Sequence, residues 1–139
     1  MKGILLINVG TPASPNKCDT KQFIGEMLSD PLLTDKSEWL SAFLARKIIA
    51  PLGASGSSEK YKLIWRKEEP IISPQLYHMQ QLAQALEEKK GVPVEIAMRY
   101  GEPDVKQAIQ TLEKRCPLLH EVIVFPVSTI CAIDDKNGN

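Results

Sequence analysis

The chain has 139 residues, with 17 Lys and Arg against 17 Asp and Glu, and 43% of it is hydrophobic. At ~100–200 residues per domain this length holds one compact domain and excludes a multi-domain machine. The zero net charge lacks the basic excess that nucleic-acid binding requires, and no apolar run approaches the ~18 residues of a membrane span.

The first run, Gly3 to Val9, is almost continuously aliphatic, which suits a strand covered on both faces as in a parallel sheet. Gly10 to Asn16 breaks regular structure with a glycine and two prolines. A helix is predicted next, capped by Asp19 or Thr20 and carrying Phe23, Ile24, Met27 and Leu28 on one face, with Asp30-Pro31 ending it. Ser37 caps a second predicted helix with Leu40, Phe43, Leu44 and Ile48 at helical spacing, closed by Pro51. The small residues Gly53 to Ser58 read as a flexible loop, followed by a short helix with Tyr61, Ile64 and Trp65.

After a break at Pro70 to Pro74, Leu76, Met79, Leu82, Ala83 and Leu86 trace an amphipathic stripe. It runs up to the basic turn and glycine stop Lys89-Lys90-Gly91. Val92 to Met98 reads as a second strand, with Arg99 to Pro103 as the turn behind it. Pro103 suits the first position of a helix striped by Val105, Ala108, Ile109 and Leu112. Glu121 to Phe125 is a third strand, ended by Pro126. Strands separated by helices indicate an α/β fold with a doubly wound parallel sheet. No helical pattern follows the third strand, so apolar surface is expected to stay open on that side.

Chemistry is sparse in this pattern. Gly10-Thr11-Pro12 is no dinucleotide fingerprint, because it lacks GxGxxG and Pro12 has no N–H for a pyrophosphate. Its bland reading is a tight turn. Arg99 and Tyr100, just behind a strand, offer a guanidinium fork and a flat ring with one hydroxyl, or are an ordinary surface arginine and a half-buried tyrosine. His78 and His120 have no second ligand at metal-binding spacing. Cys18, Cys116 and Cys131 form no CxxC pair, and the odd count fits reduced thiols in a cytoplasmic protein.

Five segments taken together resemble the ferrochelatase family, whose members insert ferrous iron into a porphyrin. They are GILLINVGTP from Gly3 to Pro12, FIGEMLSDP from Phe23 to Pro31, YKLIW from Tyr61 to Trp65, Ser73-Pro74, and AMRYGEP from Ala97 to Pro103. All five occur in the family's order. The resemblance implies two similar doubly wound lobes with the porphyrin between them, and this chain as the N-terminal lobe. It implies porphyrin contacts at Val9, Tyr61, Ser73, Arg99 and Tyr100. A flat apolar ring wants apolar and aromatic walls, and its carboxylates want a guanidinium.

There are departures. The family's basic residue shortly before Y-x-x-IW has no counterpart in Pro51 to Gly56, and the lead-in to Ser73-Pro74 is Glu68-Glu69-Pro70-Ile71-Ile72 instead of glycine-rich. The resemblance places the metal-inserting histidine and glutamate in the second lobe, so no catalytic residue, metal ligand or cofactor is expected in this chain, and Fe(II) is a substrate. The expected organisation is a lobe over residues 1–126 and a divergent tail over 127–139, apparently truncated relative to the family. The expected function is haem biosynthesis on protoporphyrin or coproporphyrin in the cytoplasm, with the chain inactive alone. The alternative is a non-enzymatic porphyrin- or haem-binding module, or an inert fragment.

Overall fold

A computed structural model describes residues 1–30, 32 and 50–127, with the backbone alone over 50–55. The helix expected from Ser37 to Ile48, Cys131 and the tail beyond Val127 lie outside the described residues.

The elements follow in the order β1 (Lys2–Gly10), α1 (Lys17–Leu28), α2 (Ala50–Ile64), α3 (Pro74–Lys90), β2 (Val94–Tyr100), α4 (Val105–Arg115) and β3 (Glu121–Pro126). The three strands form one parallel sheet in the order β2-β1-β3. The chain therefore leaves β1 in one direction and later crosses back over it. At constant right-handedness, reversing direction puts the two crossover helices on opposite faces.

The core shows that division. Ile4 and Leu6 of β1 meet Met79 and Ala83 of α3 on one face, together with Val94, Ile96 and Met98 of β2. Leu5 meets Ala97, Ala108 and Leu112 on the other, under α4. Strand periodicity of two and burial on both sides explain why β1 reads as an unbroken aliphatic run. Burying a leucine as fully as Leu5 or Leu6 contributes ~1.5–3 kcal/mol. A third cluster joins Phe23 and Ile24 of α1 to Tyr100, with Val9 and Met27 packed against it.

Several local expectations are corrected. Asn16, not Asp19 or Thr20, caps α1, its side chain accepting from the Asp19 N–H at 2.7 Å. Thr20 is instead fully buried. Gly53 to Ser58 is helical, not a loop, and Pro51 is the second residue of α2. Weak intrinsic propensity is overridden there by packing against α1. Ser58 is fully buried and its Oγ donates to the Pro15 carbonyl at 2.6 Å.

The second strand extends through Tyr100, since Gly10 pairs with it. Pro103 precedes the α4 cap: Asp104 accepts from the Gln107 N–H while Gln107 returns a bond to the Asp104 N–H. Of the predicted stripes, Met79, Ala83, Ala108 and Leu112 are buried, whereas Ile64, Leu82 and Val105 are exposed.

Candidate functional site

Two backbone approaches build the site. Gly10 ends β1 with φ of 125°, and a Cβ there would lie 1.9 Å from the Tyr100 carbonyl oxygen. Gly101 has φ of 86°, and its Cβ would lie 2.9 Å from the Thr11 carbonyl oxygen. Only glycine allows both the left-handed backbone and this proximity. The segments behind β1 and β2, ninety residues apart in sequence, therefore sit side by side at the carboxyl ends of their strands, where α/β sheets hold ligands.

A crevice of about 550 Å³ opens there, inside the ~300–1,000 Å³ range of small-molecule sites. Thr11 and Pro12 form one wall, Gln22, Phe23 and Glu26 of α1 a second, and Ser73 with Leu76 a third. Arg99, Gly101, Glu102 and Asp104 close the β2 side, and Asp19 completes the rim. Several of the acids are already engaged. Asp19 accepts from Ser14 Oγ at 2.6 Å, Glu26 from the Gly101 N–H at 3.2 Å, and Asp104 caps α4.

Arg99 reaches Asp30 with Nε at 3.1 Å and Nη2 at 2.6 Å, and the Tyr100 hydroxyl donates to the same Asp30 oxygen at 2.6 Å. The Tyr100 hydroxyl first, and then the Arg99 guanidinium, holds the Asp30 carboxyl below the usual carboxylate range. Burial, and then the Asp30 bond, pushes the Tyr100 phenol up. The result is a guanidinium oriented on the crevice wall by a carboxylate from the end of α1.

The residues singled out from sequence divide. Ser73 and Arg99 line the crevice. Ser73 is also buried as the α3 cap, its Oγ accepting from the Leu76 N–H at 3.1 Å. Val9 and Tyr100 pack in the apolar cluster with Phe23 and Ile24, and neither lines the crevice. Tyr61 stands on α2 in an edge-to-face pair with buried Trp65, centroids 6.3 Å apart, and burial raises its phenol pKa. His78 is exposed against Tyr77, and His120 contacts the Met1 amino group.

Sequence reasoning misses Asp30 as a partner, because Asp30-Pro31 reads only as a helix stop. Its DP setting in the Phe23 to Pro31 segment was the available signal. It also passed over Asn8, a buried amide in an aliphatic strand whose Oδ1 accepts from the Val9 N–H at 2.7 Å and Gln75 Nε2 at 3.1 Å. Thr11, buried on the crevice wall with its Oγ1 unpaired among the described residues, carried no signal at all.

The Asp30 link predicts a pH effect. A carboxylate whose folded pKa is depressed stabilises the fold above its ordinary pKa of ~3.9, and the contribution is lost as pH falls below that. The melting temperature should therefore hold between pH 6 and about pH 5 as far as Asp30 is concerned and fall from there on further acidification, and Asp30→Asn should flatten that low-pH fall. Identical slopes for the two proteins would remove Asp30 from the account.

Fold and crevice together define a parallel α/β domain with an open crevice at the carboxyl ends of its strands. The ferrochelatase family model matches residues 1–133, and the chain belongs to that family. It is 34% identical over 126 residues to the ferrochelatase of Aliivibrio fischeri, covering 90% of this chain and 37% of that relative. It is 29% identical over 140 residues to the Vibrio atlanticus ferrochelatase, covering 96% of this chain and 42% of the relative. With the Francisella tularensis subsp. holarctica ferrochelatase the identity is 33% over 127 residues, 91% of this chain and 37% of the relative. The chain spans about two-fifths of the length of these curated relatives. Among the described residues no helix is long and apolar enough to cross a membrane.

Proposed function

We propose that this chain is the porphyrin-binding lobe of a ferrochelatase, working in haem biosynthesis in the cytoplasm. The observation that carries the reading is the Arg99 guanidinium on the wall of the crevice, pre-oriented by Asp30. A porphyrin propionate presents the same donor-seeking carboxylate that Asp30 does, so Arg99 can exchange one for the other. Phe23, Leu76 and Pro12 supply apolar wall for the ring. Val9, Ser73, Tyr100 and Tyr61 complete the proposed porphyrin site: Ser73 stands on the wall, Val9 and Tyr100 back it from the cluster with Phe23, and Tyr61 is offered from α2.

Fe(II) is a substrate in this reading, and its insertion belongs to the family's other lobe. The chain alone is proposed to bind porphyrin without turnover, because residues that act as a unit in catalysis leave little when half are absent. Added Fe(II) should leave the porphyrin fluorescence of the purified chain unchanged.

The test is a Soret titration with protoporphyrin and coproporphyrin. A charge-assisted hydrogen bond contributes ~1.5–3 kcal/mol, so Arg99→Ala should weaken binding by about ten- to a hundredfold, with Arg99→Lys in between because it keeps the charge and loses the fork. Equal affinity for wild type and Arg99→Ala would sink the proposed role. No Soret shift for the wild type would leave an inert fragment.

A further inference from the structure

At the amino ends of the strands, opposite the crevice, three side chains with sulfur or imidazole donors gather. Met1 leads into β1, Cys116 follows the last turn of α4, and His120 leads into β3. The pairing of Lys2 with Glu121 starts the β1-β3 ladder. It sets Met1 beside His120, whose N–H bonds the Met1 carbonyl at 3.1 Å.

The Cys116 thiol donates to the Met1 thioether, Sγ to Sδ at 2.9 Å, across 115 positions of sequence. Among the described residues neither sulfur has another polar partner. The Met1 amino group donates to the Leu118 carbonyl at 2.9 Å and contacts His120 Nδ1. An ammonium can only donate, so that contact leaves Nδ1 an acceptor with its lone pair turned toward Met1. Met1 thus touches the thiol through its side chain and the imidazole through its backbone end. Cys116 is buried at 4% exposure, whereas Met1 is 57% exposed and His120 is exposed as well.

We propose that Cys116, Met1 and His120 form a binding site for Cu(I), separate from the porphyrin crevice. The donors select the metal. Thiolate and thioether sulfur favour Cu(I), while carboxylates and carbonyls suit harder ions. One thiolate cancels one positive charge, so Cu(I) leaves no net charge beside buried Cys116. Zn(II) or Fe(II) would leave a charge uncompensated there. Among the described residues no three His, Cys, Asp or Glu side chains gather as a metal cluster, and the thioether is what completes this donor set.

Metal–thiolate bonds of ~2.3 Å at a tetrahedral angle place two sulfurs ~3.8 Å apart. The Met1 side chain, exposed and with three rotatable bonds, supplies the needed opening while Cys116 stays in place. Binding replaces the Cys116 S–H bond with a Cu–S bond and releases the thiol proton to solvent. The oxidation state does not change. The bound ion ties the start of β1 to the turn between α4 and β3.

The experiment titrates the full chain anaerobically with Cu(I) near neutral pH, against bicinchoninate as a coloured competitor. Cys18 and Cys131 are replaced by serine throughout, so that Cys116 is the only thiol. The expected result is one Cu(I) retained per chain. Cys116→Ser should abolish retention. Losing a group that only orients a metal ligand costs about 10–100-fold, so His120→Ala should weaken retention by at least about tenfold. With a Gly-Ser remnant placed before Met1, the chain should still hold one Cu(I), and Met1→Leu in that protein should again lose about tenfold. His120 and Met1 are exposed, so these two variants decide the matter even where Cys116→Ser fails to fold.

Less than one Cu(I) retained by the starting chain would overturn the inference. So would His120→Ala and Met1→Leu proteins that bind as tightly as their parents, because a bare thiol would then account for the copper. Loss of copper from the extended chain that keeps Met1 would overturn the assignment to three side chains. Zn(II) or Fe(II) held more tightly than Cu(I), each measured against a chelator of known affinity, would overturn the choice of metal. Arg99→Ala should keep its copper whatever becomes of its porphyrin binding, and loss of copper there would overturn the separateness of the two sites.

Discussion

Replacing Gly10 by alanine is expected to destabilise the chain by about 3 kcal/mol or more, measured as a fall in the denaturation midpoint in urea. The backbone term alone, a non-glycine residue held at φ of 125°, is ~1–3 kcal/mol. The steric term adds to it, because the new methyl would sit 1.9 Å from the Tyr100 carbonyl oxygen, and that atom is backbone in a paired strand with no rotamer to escape to. Relief requires β1 and β2 to part at Gly10 and Tyr100, their last pairing. That would also spread the crevice walls at Thr11 and Gly101, so any folded Gly10→Ala protein should bind porphyrin more weakly. A change within ~0.5 kcal/mol, the range of an ordinary surface substitution, would show that the strand ends are not held together as described.

Leu112→Ala should cost ~2–5 kcal/mol, the range for buried leucine truncation. Leu112 has no exposed surface, and it fills the space between α4 and the sheet against Leu5, Ala97 and Ala108. Two of those neighbours are already alanines, and the partly buried Ile109, Leu119 and Val122 pack around them, so partial collapse keeps the cost inside that range. The contrasting control is Val105→Ala on the same helix. Val105 was predicted on the same stripe but is exposed at the first turn, and its truncation should be nearly neutral. Similar losses at the two positions would contradict the packing of α4.

The contrast between Leu112 and Val105 marks how far sequence periodicity reaches. Spacing of 3.6 identifies the face of a helix, but not where along its length the sheet begins to cover it. The same applies to α3, where Met79 and Ala83 are buried while Leu82, one step around the helix, is exposed. Composition misled at Gly53 to Ser58, where small residues look like a loop and are helical because the helix that contains them packs against α1.

Of the site, Ser73 and Arg99 could be nominated from motif resemblance, and both line the crevice. Asp30, which orients Arg99, could not be found from local pattern, because the bond joins residues 69 positions apart. Thr11 reached the wall only because Gly101 lets the two loops touch.

The sequence by itself determined the order of strands and helices, the continuous aliphatic character of β1 and the family. These follow from local periodicity and from short motifs, and neither depends on what a segment packs against. The tertiary structure decided the sheet order and the meetings of Gly10 with Tyr100 and of Asp30 with Arg99. Each of those is a matter of register and of contacts between distant segments. A backbone group's partner is set by the strand beside it, and a chain carries no mark of that neighbour until the sheet has formed.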